Sequence, residues 1–66
     1  MGKYSEKDID DAISSLPKNQ EKIFRMYYFD DLKHDEIAKK LGVSDGTSKS
    51  QLHKAKSKVK EYLENK

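Results

Sequence analysis

Sixty-six residues, a third of them apolar and 39% charged, allow one domain with one small core and no second domain beside it. The absence of cysteine excludes disulfide staples and thiolate zinc sites and fits a reducing cytosol, while no apolar run is long enough for a membrane span or a signal peptide. Net charge is only +2 but unevenly placed: residues 1–43 carry eight basic and nine acidic side chains, residues 44–66 six basic and three acidic.

The elements expected are all helical. Ser5 is a capping residue with Asp8 three positions on, and Ile9, Ala12, Ile13 and Leu16 recur at helical spacing, so a first helix is expected over about 5–15. Pro17 ends it and suits the first turn of a second helix over about 18–30. That segment holds Ile23, Phe24, Met26, Tyr27, Tyr28 and Phe29, which wrap most of the way round a helix. It reads as a central core helix, with the surface around Met26, Tyr27 and Phe29 left over for a partner.

Asp31 follows at a position where the left-handed conformation is expected, since Asp tolerates it better than most residues. A third helix over about 34–41 points Ile37, Ala38 and Leu41 one way and places Asp35 and Glu36 in its first turn, the favourable end for acids. Gly42 reads as its C-cap, Val43 as a buried link, and Ser44 as the N-cap of a fourth helix over about 45–63. Helix, three-residue turn and helix together have the spacing of a helix-turn-helix. The fold class expected is therefore all-α: a four-helix domain with a helix-turn-helix and no wing.

The fourth helix divides by face. Ser48, Leu52, Ala55, Val59 and Leu63 fall on one stripe at about 100° per residue. Gly46, Thr47, Ser50, His53, Lys54 and Ser57 lie opposite, flanked by Lys49, Gln51, Lys58 and Lys60. Five lysines stand between positions 49 and 60 with no acid among them, where a merely solvated helix would mix in glutamates. Small residues and hydrogen-bonding groups near the helix start, with long cations beside them, suit entry into a DNA major groove. Ser48 faces inward, so its hydroxyl is expected to bond to the carbonyl one turn earlier, and a valine there is expected to stabilise the domain by about 1 kcal/mol.

The stretch "LPKNQEKIFRMYYFDDLKHDEIAKKLGVSDGTSKSQLHKAKSKVKEYL", residues 16–63, resembles region 4 of the bacterial sigma-70 family in its extracytoplasmic-function branch. The likeness lies in the "LP" start, the aromatic helix, "EIAKKLGVS", "GTSKSQLHKAK" and the basic tail. It implies a sigma region 4 domain spanning residues 1–66 that reads the promoter −35 element in double-stranded DNA while docking on the β flap of RNA polymerase, in the cytoplasm and without a cofactor or metal. The DNA-binding set implied is Ser44, Gly46, Thr47, Lys49, Ser50, Gln51, His53, Lys54 and Lys58. Met26, Tyr27 and Phe29 would meet the polymerase flap or an anti-sigma factor competing for it. Three positions depart from the family pattern: Lys33 stands for the usual serine cap, so that the third helix is expected to fray at its start, Gln51 for an arginine, and Ser48 for a core valine. Nothing corresponds to the region that melts the −10 element, so the chain reads either as a domain excised from a longer factor, the favoured expectation, or as a free-standing relative.

Other classes fare worse. His34 and His53 are the only histidines, no cysteine accompanies them, and both read as plain surface residues, so an enzyme is not expected. A helix-turn-helix output domain of another transcriptional regulator would share "EIAKKLGVS" but not the long lysine-rich tail. A sigma-like module that only binds an anti-sigma factor would keep the aromatic helix without needing the cations.

Overall fold

The structure, a computed structural model, describes residues 4–65. Its elements are α1 (Glu6–Ser14), α2 (Lys18–Tyr28), α3 (His34–Leu41) and α4 (Asp45–Glu64), with no strand among the described residues. At 1.5 Å per residue the 20 residues of α4 span about 30 Å. That helix accounts for most of the 34 Å long axis of the molecule, whose other extents are 18 and 17 Å.

Local chemistry sets the helix ends. The Asp8 amide donates to Ser5 Oγ and the Ser5 amide to Asp8 Oδ2, both at 3.2 Å, a reciprocal capping box that starts α1. Pro17 sits at the N-cap of α2 and offers no capping side chain. The second helix closes at Tyr28, two residues short of the expected end, because the chain turns through Asp31 at φ 60° while the Leu32 amide reaches back to the Met26 carbonyl at 3.0 Å. Gly42, at φ 70°, ends α3, and the Val43 amide bonds to the Ala38 carbonyl at 3.0 Å, which is the six-to-one bond of a Schellman turn.

Two expectations about this corner need correcting. Val43 is not buried: it is 37% exposed, since the turn that reverses the chain carries its side chain outward. The start of α3 is not left uncapped by Lys33, because the Glu36 carboxylate accepts from the Lys33 amide at 2.9 Å. The lysine side chain, a donor only, returns no bond of its own.

The core forms in two clusters strung along α4. Ala12, Ile13 and Leu16 of the first segment meet Ala55 and Val59, with Leu63 beside them. Ile23 of α2, Ile37 of α3 and Leu52 of α4 form the other, with Met26, Tyr27, Leu32 and Leu41 against it. Phe24 packs on both clusters and joins them. Away from this core, Arg25 ties α2 to α1: it donates to Asp10 Oδ1 and Glu21 Oε2, each at 3.1 Å. The bond to Asp10 is the main reason its guanidinium pKa is raised, partial burial opposing it and Glu21 adding to it. No helix of the described residues is long and apolar enough to cross a membrane.

Candidate nucleic-acid interface

The fourth helix presents the face expected of it. Ser48, Leu52, Ala55 and Val59 are buried, while Gly46, Thr47, Lys49, Ser50, His53, Lys54 and Lys58 are exposed. The two ion pairs among the described residues both belong to Arg25, and neither involves a lysine of α4. Those lysines therefore carry their charge outside the ion pairs of the described residues, and the acids of α4 lie at its ends, Asp45 in the first turn and Glu61 and Glu64 in the last.

The start of the helix is built firmly. Ser44 Oγ accepts from the Thr47 amide at 3.0 Å and donates to Thr47 Oγ1 at 2.9 Å. This fixes the first turn and orients the threonine hydroxyl at the surface. Gly46 has no conformational need to be glycine: its φ is not positive, and a Cβ there would meet only Ser44 Oγ at 3.9 Å, an ordinary contact.

Gln51 stands apart from the rest of the expected set. It is half-buried, and its Oε1 accepts from Nε2 of Gln20 on α2 at 3.1 Å, so its amide is engaged within the domain. Ser48 also differs from expectation, for its hydroxyl pairs with His34 Nδ1 at 2.9 Å rather than with a carbonyl of its own helix. His34 is correspondingly no plain surface residue; it is half-buried, and its ring stacks on Tyr27 with centroids 4.9 Å apart and planes at 22°.

On the far side of α2 the aromatic residues separate. Met26 and Tyr27 are half-buried against the Ile23–Ile37–Leu52 cluster, whereas Phe29 is 59% and Tyr28 45% exposed. Tyr28 packs on Phe24 at 4.7 Å and edge-on to Tyr27 at 5.0 Å. Sequence alone points to Met26, Tyr27 and Phe29 and misses the exposure of Tyr28, because helical periodicity blurs where nearly every position is apolar. It also misses Lys18, Lys22 and Lys40, which the fold gathers at one groove; their separation along the chain hides them. No group of three or more His, Cys, Asp or Glu side chains that could hold a metal ion occurs among the described residues.

A short helix, a turn closed by a left-handed glycine and a long helix with a cationic face outside any ion pair define a helix-turn-helix DNA-binding domain. The sequence profile described as "Sigma-70, region 4" matches residues 6–59, most of the chain, and the chain belongs to that family. No curated protein and no solved structure matches it. Region 4 is a DNA-binding module of transcription and not an enzyme family; in sigma factors it recognises the −35 element in concert with RNA polymerase.

Proposed function

We propose that this domain reads the −35 element as region 4 of an extracytoplasmic-function sigma factor, in the cytoplasm and docked on the β flap of RNA polymerase. The observation that carries the reading is the outward face of α4, where lysines outside the ion pairs of the described residues flank exposed small and hydrogen-bonding residues. Lys49, Ser50, His53 and Lys54 contact base edges, and Ser44, Gly46, Thr47 and Lys58 hold the backbone. Gln51 contributes by bracing α4 against α2 through Gln20, and its own reach to DNA requires that bond to open. The half-covered surface of Met26, Tyr27 and Phe29 is the side for the polymerase flap, or for an anti-sigma factor that competes with it.

Footprinting on promoter DNA tests the proposal. Protection over the −35 element that disappears in Lys54→Ala is the expected result; protection elsewhere, or none in the presence of core polymerase, overturns it.

A further inference from the structure

Between the N-terminus of α2, the C-terminal turn of α3 and the start of α4 lies a groove of about 580 Å³. Its walls include Lys18, Gln20, Lys22, Lys40, Thr47 and Gln51. Two of these residues, Thr47 and Gln51, belong to the helix that carries the reading face, so the groove opens beside that face.

Three independent observations give the groove a polarity. The 11-residue α2 begins at Pro17 with no capping side chain, so the amides of Lys18, Asn19 and Gln20 have no intrahelical acceptor and the positive end of the helix dipole is open. Lys18, Lys22 and Lys40 are exposed and outside the ion pairs of the described residues. Finally, Gln20 is only 8% exposed, and its Oε1 is buried without any hydrogen-bond partner. Such an orphan is uncommon and costs free energy in a folded domain. Reversing both amides keeps the Gln20–Gln51 bond, now donated by Gln51 Nε2, and turns Gln20 Nε2 to the unpartnered position. With the amides so reversed, the unpartnered group on the groove wall is a donor and no longer an acceptor.

We propose that this groove is a second DNA-contact element, in which a backbone phosphate of the strand running beside α4 sits against the open first turn of α2 and between Lys18, Lys22 and Lys40. The proposal rests on the reading of α4 as the DNA-contacting helix and extends the interface to α2 and α3. Lys40 also lies in the last turn of α3, where a cation suits the helix dipole, but that role leaves Lys18, Lys22 and the Gln20 orphan unexplained. Phosphate seating adds affinity without base preference, so it acts alike on every duplex.

The test uses the whole chain and a mixed-sequence 20-base-pair duplex, with binding followed by fluorescence anisotropy across a salt series. Lys18→Ala, Lys22→Ala and Lys40→Ala combined are expected to weaken binding several-fold and to flatten the log–log salt slope by about one unit, the change for the one phosphate that is no longer neutralised. Lys7→Ala, an exposed lysine of α1 outside the groove, is the control and should leave the slope unchanged. In a chemical-shift titration with the same duplex, the amides of residues 18–20 should move with the same midpoint as those of residues 46–54. If Lys58→Ala flattens the slope while the triple variant does not, DNA meets α4 alone and the groove proposal is overturned while the reading of α4 survives. If the unaltered chain binds no duplex, both fall together. Shifts at residues 18–20 with inorganic phosphate but not with the duplex would also overturn it, marking the groove as an adventitious anion site.

Discussion

Ser48 Oγ lies 2.9 Å from His34 Nδ1, joining the start of α3 to the second turn of α4 across the helix-turn-helix. The hydroxyl is fully buried, and the imidazole it meets stacks in turn on Tyr27 of α2. A chain of contacts therefore runs from α2, through the first residue of α3, to the inner face of α4. The bond ties the first residue of α3 to the start of α4, beside the Ile37–Leu52 packing that also joins the two helices.

The sign of one substitution changes as a result. Considered from sequence alone, Ser48→Val adds apolar burial and stabilises; with His34 as partner it strands a ring nitrogen and places two methyl groups in a site filled by one hydroxyl. The valine variant is expected to lose about 1 kcal/mol, which for a domain of this size lowers Tm by roughly 4–8 °C. Thermal melts check it, and a Tm equal to or above that of the unaltered protein would contradict the structural role given to the bond. A double-mutant cycle of Ser48→Ala and His34→Ala should return a coupling of about 1 kcal/mol.

Gly46→Ala separates folding from DNA binding. The added methyl meets only Ser44 Oγ at 3.9 Å, and alanine is the better helix residue, so stability should rise by about 0.5 kcal/mol. Affinity for duplex DNA should fall several-fold, because the methyl stands where the backbone approaches the groove. Denaturant melts and anisotropy titrations on the same preparation give both values; undiminished DNA affinity would remove Gly46 from the interface.

Phe29→Ala tests the other surface. With 59% of the residue exposed, truncation should change stability by no more than about 0.5 kcal/mol. Binding to core polymerase or its isolated β flap should weaken substantially. Retained flap binding, measured by interferometry, would show that the partner meets the domain elsewhere.

How much the sequence disclosed differs from element to element. Helix positions, the Gly42 cap, the left-handed Asp31 and the burial of Ser48, Leu52, Ala55 and Val59 follow from periodicity and capping chemistry, which are local properties. Val43 and the end of α2 do not follow, because a turn's exposure depends on where the chain goes next. The two side-chain pairings that matter for the site are equally out of reach. Gln20 and Gln51 are 31 positions apart, and His34 and Ser48 are 14 apart, so each pair exists only once the helices have packed. The Lys18–Lys22–Lys40 groove is a product of packing in the same way.

Loss of specificity should distinguish one kind of cation from another. Lys58→Ala or Lys60→Ala should weaken binding to all sequences alike and flatten the salt slope by about one unit. Lys54→Ala or His53→Ala should cost about 1–3 kcal/mol on the preferred −35 sequence and little on scrambled DNA. Equal losses on both duplexes for all four variants would mean that α4 grips the backbone without reading bases.

The most direct measurement is a chemical-shift titration of the domain with a −35 duplex and a scrambled duplex of the same composition. The largest amide shifts are expected within residues 44–58, centred on Ser50, His53 and Lys54, with smaller ones at the start of α2 and tighter saturation on the matched sequence. Largest shifts on the aromatic surface of residues 24–30, or identical titrations with both duplexes, would contradict the assignment of α4 as the helix that reads the −35 element.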